Sequence, residues 1–222
     1  VLAVVMTVRN GKLQVLLWRR AESPQAGRWA LPGGALGPQE RLGAAVARHL
    51  ANKVEVQRLS HLEQLETRSD PGRDPRRRVL ATAYLGLVPA DAEPELPDDT
   101  RWHAVDALPA TAFDHGSIAA SGRARLRAKL SYTTIGFALA ADTFTISQLR
   151  DIYSAALGRD VAATNLQRVL LRRGVIERTD TVVPPTEHGG RPAAEYRFRD
   201  RQVVVTDEFP AFRPRRVGHD EP

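Results

Sequence analysis

The 222-residue chain contains no cysteine. That excludes disulfides and thiolate-ligated metals, and nothing in the residue usage signals an oxidising compartment. Lysine is nearly absent too. Of the 32 basic residues, only Lys12, Lys53 and Lys129 are lysine, and arginine supplies the rest. No apolar run is long enough to cross a bilayer, so no membrane partner is expected and the cytoplasm is the expected location. The opening apolar stretch, residues 1–8, lacks a basic flank and a small-residue cleavage pattern, so it reads as a strand rather than a leader. The chain begins at Val1, and a preceding native segment is expected.

What is present suits a globular protein of one or two domains: 42% hydrophobic and 26% charged residues. The net charge of +6 permits nucleic-acid binding without establishing it, since arginine-rich composition also follows from codon usage alone. No internal repeat is visible.

Two halves differ in pattern. In residues 1–120 strands dominate. Apolar runs at 1–8 and 13–18 flank Asn10-Gly11, a hairpin signal because both residues tolerate positive φ. Gly33-Gly34 introduces a helix over 38–52, with Leu42, Ala45, Val46, His49 and Leu50 at helical spacing. Further strands are predicted over 56–65 and 78–88, separated by a polar Pro/Gly/Arg loop, and a turn at Leu96-Pro97-Asp98-Asp99 precedes Trp102. From Ser117 onward the pattern is helical. Leu126 and Leu130 share one face of a basic helix over 121–132. Thr145 and Gln148 form a capping box opening a helix with Leu149, Ile152, Tyr153 and Ala156 inside. After a connector holding Gly158, a second helix buries Leu166, Val169 and Leu170 and ends at Gly174. Strands over 175–178 and 194–198 enclose a loop carrying His188-Gly189-Gly190-Arg191, and the chain from about Phe209 reads as a loosely ordered tail.

The first half carries a spaced motif. Gly34-x5-Glu40-x7-Arg48-His49-Leu50-x-Asn52-Lys53-x-Glu55-Val56, led by Arg28-Trp29-Ala30-Leu31-Pro32-Gly33, resembles the Nudix box. The glycine, the first glutamate, the arginine and the apolar positions match. In active relatives, the resemblance implies, carboxylates stand at the positions of His49, Asn52 and Lys53, which share one helix face at i, i+3 and i+4. Carboxylates there would give divalent cations hard oxygen ligands. An imidazole, an amide and an ammonium do not, and the ammonium repels a cation. Glu55 also replaces the glycine of the pattern. Hence no catalytic and no metal-ligating residues are assigned. Glu40, Glu63 and Glu66 stay as carboxylates that a metal-dependent enzyme could recruit instead.

Arg73-Asp74-Pro75-Arg76, with Trp102 and Leu108-Pro109 to Phe113-Asp114-His115, resembles the ligand loop of Nudix ADP-ribose pyrophosphatases and their regulatory relatives. That resemblance implies ADP-ribose or a related NAD-derived nucleotide as effector, with no other cofactor. Guanidinium groups grip diphosphates bidentately. The candidate ligand residues are Arg19, Arg20, Arg28, Gly33, Gly34, Lys53, Arg73 and Arg76. His115 reads as structural or capping.

Two amphipathic helices followed by a β-hairpin read as a winged helix, whose second helix enters the major groove. Thr164, Asn165, Arg168 and Arg172 lie opposite its apolar side, and Asn and Arg suit bidentate base reading. Arg173, Arg191, Arg127 and Lys129 are candidates for phosphate contacts.

Together, Phe144-Thr145-Ile146-Ser147-Gln148-Leu149-Arg150, Thr164-Asn165-Leu166-Gln167-Arg168 and the altered box resemble the Nudix-related transcriptional regulators of NAD metabolism, NrtR. The implied class is α+β: a Nudix α/β/α sandwich over 1–120, a connecting basic helix over 121–135, a winged helix-turn-helix over 136–205 and a tail over 206–222. The implied activity is that of a homodimeric repressor on a palindromic double-stranded operator. Two alternatives stay open, an active ADP-ribose pyrophosphatase with an accessory domain and a Nudix scaffold that does not bind DNA.

Overall fold

Strands β1 (Leu2–Arg9) and β2 (Lys12–Arg19) form the hairpin that Asn10-Gly11 predicts, with Met6 opposite Val15 and Arg9 opposite Lys12. Asn10 and Gly11 take φ of 51° and 69°, the conformation whose twist matches the flanking strands. These are features of a computed structural model that describes residues 1–54, 56, 59–183 and 192–207. Arg191 and the rest of the expected wing loop, Glu55 and the tail from residue 208 lie outside the described residues.

β1 is buried along most of its length because both faces of its sheet are covered. Ala3 and Val5 meet Leu16, Val46 and Leu50 on one face. Val4 and Met6 meet Val15, Leu17, Ile118 and Leu126 on the other. The sheet adds β3 (Trp29–Ala30), β4 (His61–Arg68), β5 (Ala81–Leu87) and β6 (Thr100–Ala104). Its order is β3-β2-β1-β5-β4, with β6 paired to β2. Only β1 and β5 run parallel. Past β3 the chain crosses to β1, where the Ala3 amide donates to the Pro32 carbonyl at 2.8 Å and Leu2 bridges Gly33. This sets Gly33-Gly34 beside the start of β1.

Helix α1 (Leu42–Val54) covers the first face and α2 (His115–Tyr132) the second, completing the sandwich. Both helices depart from the sequence reading. α1 begins at Leu42 rather than Pro38, because Glu40 closes a turn instead: its amide donates to the Gly37 carbonyl and its Oε2 accepts from the Gly37 amide. α2 begins at His115 rather than Ser121. The added turns contain Gly116, and Gly122 lies further along; both are poor helix formers. Packing overrides propensity there, since a Cβ on Gly122 would lie 2.7 Å from Val4 Cγ1. The basic helix is thus one layer of the first domain as well as the link to the second. β4 and β5 are also displaced from the strands expected over 56–65 and 78–88.

A buried 3-10 turn (Ile135–Ala138) leads to β7 (Phe144–Thr145), α3 (Ile146–Leu157), α4 (Ala163–Arg172), β8 (Ile176–Val183) and β9 (Ala193–Phe198). The strands pair as β7-β9-β8, giving the winged-helix arrangement. The Thr145/Gln148 capping box is formed, and Gly158 and Gly174 both take φ of 66° just past their helices. Leu166 and Leu170 are buried on α4, while Val169 is only half-buried.

One apolar core runs through both domains, from Val4, Met6 and Leu126 to Phe137, Leu149, Tyr153, Leu170 and Phe198. Polar contacts reinforce the junction. Arg127 on α2 donates to the Ala156 carbonyl at the end of α3 (3.4 Å). Arg173 donates to the Ser131 carbonyl at 3.0 Å and to Asp207 at 2.9 Å.

Candidate functional site

Of the altered face of the Nudix box, only His49 is used for packing. His49 is buried, and its Nε2 lies 2.9 Å from the Ala35 carbonyl. Its ring occupies the space that a Cβ on Gly34 would need. The second glycine of Gly33-Gly34 is therefore required by the imidazole. Asn52 is exposed. Glu40 accepts from Arg48 Nε and Nη2, both at 2.7 Å. Arg48 first, and then the Gly37 amide, hold the Glu40 carboxyl down to about 2, so it stays ionised and both its oxygens are engaged.

Glu63 and Glu66 sit on the other face of the sheet, under α2. Glu63 bonds Lys129 and lies 3.1 Å from His61 and 3.5 Å from Arg125. Burial alone would raise the Glu63 carboxyl, but Lys129 and His61 hold it below its ordinary value. Glu66 pairs with Arg68 at 2.8 Å, and Arg68 reaches Ser121 of α2. The sheet thus separates both glutamates from Glu40. Among the described residues, no three His, Asp or Glu side chains gather as a metal site.

A cleft of about 480 Å³ opens beside Gly33-Gly34. Its lining includes Arg20, Lys53, Arg73, Arg76 and Arg77, against one carboxylate, Asp74. The Arg20 guanidinium lies 5.1 Å from the Phe113 ring centroid, and Lys53 Nζ lies 4.4 Å from that of Trp18. Burial, then the Arg20 charge, lowers the Lys53 ammonium from its ordinary value, with Glu22 opposing. Arg73 grips Asp114, the residue preceding α2, through Nε at 3.2 Å and Nη2 at 2.7 Å. Arg76 holds Asp74 in the same way at 3.0 and 2.8 Å, keeping that carboxyl near 2. His115 also lines the cleft. Its Nδ1 accepts from the Leu31 amide at 3.0 Å, and burial pushes it down to about 4, so it is neutral at pH 7 and acts as a strut.

Six of the eight candidate ligand residues therefore line one cavity: Arg20, Gly33, Gly34, Lys53, Arg73 and Arg76. Arg19 and Arg28 do not. Arg19 donates to the Gly27 carbonyl and Arg28 to the Thr111 carbonyl, and both are exposed away from it. The sequence reading missed Trp18 and the apolar rim. Leu36 and Leu80 line the cleft while 45% and 65% exposed, so a bound ligand has greasy surface to cover. A tryptophan at a strand end beside Arg19-Arg20 was the one available signal for Trp18.

In the second domain Thr164, Asn165, Arg168 and Arg172 all lie exposed on α4. Arg168 donates to Asn165 Oδ1 at 2.8 Å, so the two polar heads sit together. Three other cations named for DNA are placed elsewhere. Arg173 is tied to Ser131 and Asp207, Lys129 to Glu63, and Arg127 to the end of α3. Each already has a partner within the protein, and these contacts argue for structural roles.

Comparison with known proteins agrees with this architecture. The NUDIX domain model matches residues 1–121, and the model of the NrtR DNA-binding winged helix domain matches residues 136–198. The chain belongs to the NrtR family. It is 32% identical over 201 residues to the ADPR responsive transcriptional repressor NtrR of Acinetobacter baylyi, covering 87% of this chain and 79% of that protein. The crystal structure of Shewanella oneidensis NrtR with a 27mer DNA superposes with a TM-score of 0.75 at 30% identity, covering 89% of this chain and 92% of that one. The NUDIX domain of the same Shewanella protein, complexed with ADP ribose, matches 56% of this chain and 85% of its own at 32% identity and a TM-score of 0.51.

Proposed function

We propose that this protein is a DNA-binding repressor of genes of NAD metabolism. It senses ADP-ribose or a related NAD-derived nucleotide in the Nudix cleft and does not hydrolyse it. The observation that carries this reading is the placement of α2. Its first residue, His115, lines the cationic cleft, and the preceding Asp114 is held by Arg73 of that cleft. At its other end the Ser131 carbonyl accepts from Arg173, just past the recognition-type helix α4. A ligand that displaces the Arg73–Asp114 pair thus acts on one end of a helix whose other end holds the DNA-binding domain. Only a ligand with different affinities for two placements of that domain can alter DNA binding.

Loss of turnover fits this role, because a hydrolysed effector cannot report its own concentration. Replacement of the catalytic carboxylates by His49, Asn52 and Lys53 supports it. Asn165 and Arg168 are the base-reading candidates, with Thr164 and Arg172 beside them. A homodimer would set two such helices on the half-sites of a palindrome, about one or more helical turns apart. The cytoplasm is the compartment this role requires.

Two assays test the reading. DNA from the protein's own gene neighbourhood is titrated with protein, with and without ADP-ribose. Separately, ADP-ribose is incubated with protein and Mg²⁺ or Mn²⁺. The expected results are a specific complex whose affinity ADP-ribose changes, and no AMP. Turnover at ordinary enzyme rates would favour a pyrophosphatase, and absence of a specific complex would favour a scaffold.

A further inference from the structure

The Nudix fold implies divalent cations, and the residues of this chain do not fit them. Such ions need several oxygen ligands. Of the box side chains, His49 is turned into Gly34 and Ala35, Glu40 is engaged through both oxygens, and Asn52 is exposed. Lys53 alone of the three replaced positions lines the cleft. Its ammonium rests on the Trp18 face, with no hydrogen-bond acceptor among the described residues. It is half-buried, so it forgoes part of its hydration, and Glu22, whose charge acts on it, makes no direct ion pair with it.

We infer that Lys53 takes the place of the metal, so that the cleft binds its pyrophosphate ligand without any divalent cation. This rests on the reading of the cleft as a nucleotide receptor and adds how the ligand's charge is met. A pyrophosphate brings two negative charges into a cavity where Arg73 is committed to Asp114 and Arg76 to Asp74, which leaves Arg20 and Arg77 to share the ligand's charge with Lys53. The Lys53 ammonium offers three donors and a charge fixed in the fold. The Trp18 ring supports it from the opposite side and keeps it from swinging to solvent. A divalent cation, by contrast, would meet five positive side chains and one carboxylate, itself paired.

Calorimetric titration of the full chain with ADP-ribose, and separately with ADP, decides the matter. Each is run in EDTA and again in Mg²⁺. The wild type is expected to bind ADP-ribose equally well, within about two-fold, in both buffers. Lys53→Met should weaken binding by about ten-fold or more, the scale of a lost charge-assisted hydrogen bond, with no recovery in Mg²⁺. Lys53→Arg should keep most of the affinity. Lys53→Glu should bind poorly in EDTA and recover partly in Mg²⁺, which loss of a structural lysine would not produce. A thermal melt of each variant confirms folding. EDTA-sensitive binding by the wild type, or an unchanged affinity in Lys53→Met, overturns the inference, and so does failure of both ligands to bind in EDTA. If ADP binds in EDTA and ADP-ribose binds nowhere, the choice of effector falls while metal-free binding stands.

Discussion

Gly158 and Gly174 offer a matched pair for measuring how firmly the two domains are joined. Both take φ of +66° just past a helix, where an alanine costs about 1 kcal/mol in backbone strain alone. Their surroundings differ. A Cβ on Gly174 meets nothing within 4 Å, whereas one on Gly158 falls on the Arg127 guanidinium. Arg127 would have to withdraw, losing its bond to the Ala156 carbonyl and its position at the C-terminal end of α3. The 3.4 Å donor–acceptor distance puts that bond at the weak end, so its loss together with the helix-end charge is worth about 1 kcal/mol. Gly174→Ala should therefore cost about 1 kcal/mol and Gly158→Ala about 2 kcal/mol in urea unfolding at fixed protein concentration. Arg127→Ala closes a double-mutant cycle: in that background the cost of Gly158→Ala should fall to that of Gly174→Ala. If the Gly158→Ala penalty is the same with or without Arg127, the arginine is not a domain contact and this account of the junction is wrong.

Other outcomes follow from the same geometry. His115 is neutral in the fold down to about pH 4, while an unfolded histidine protonates near its ordinary value of about 6.5. Between those pH values the unfolded state binds the extra proton, so stability should fall with acidification across that window, by at most about 3 kcal/mol. His115→Gln should flatten this part of a stability–pH profile, and an unchanged slope would mean that His115 does not titrate as a buried group. Arg168→Ala should weaken DNA binding by about 1–3 kcal/mol and leave the melting temperature alone. Arg173→Ala should do the reverse first, lowering thermal stability, because that guanidinium bonds Ser131 and Asp207 within the protein; equal melting temperatures for wild type and Arg173→Ala would contradict its assignment to the junction.

What could be read directly from the sequence was local. Asn10-Gly11, the Thr145/Gln148 capping box, Gly158 and Gly174 each act within a few residues, and each does in the structure what its chemistry dictates. The Nudix lead-in likewise marked the cleft, since Gly34 packs against His49 of the same motif and Gly33 lines the same cavity. Long-range partners were not legible. Lys129, Arg127 and Arg173 look like phosphate-binding cations in a linear reading, yet Glu63, the Ala156 carbonyl and Asp207 claim them from distant positions. The early start of α2 was hidden for the same reason. Gly116 argues against a helix until Thr111 packs against it, and Gly122 until β1 requires a small residue there. Arg19 and Arg28, similar in sequence to Arg20, miss the cleft because their guanidinium groups are held by the Gly27 and Thr111 carbonyls.

The proposed coupling runs from the Nudix cleft through α2 to the DNA-reading helix. Fluorescence anisotropy on a labelled fragment from the protein's own gene neighbourhood tests it most directly, comparing wild type with Asp114→Ala, each with and without saturating ADP-ribose. A specific complex is expected whose affinity ADP-ribose changes by about ten-fold or more in the wild type, a coupling of about 1.4 kcal/mol. In Asp114→Ala the complex should still form, with that response reduced. A wild-type affinity that stays the same at saturating ADP-ribose would contradict it.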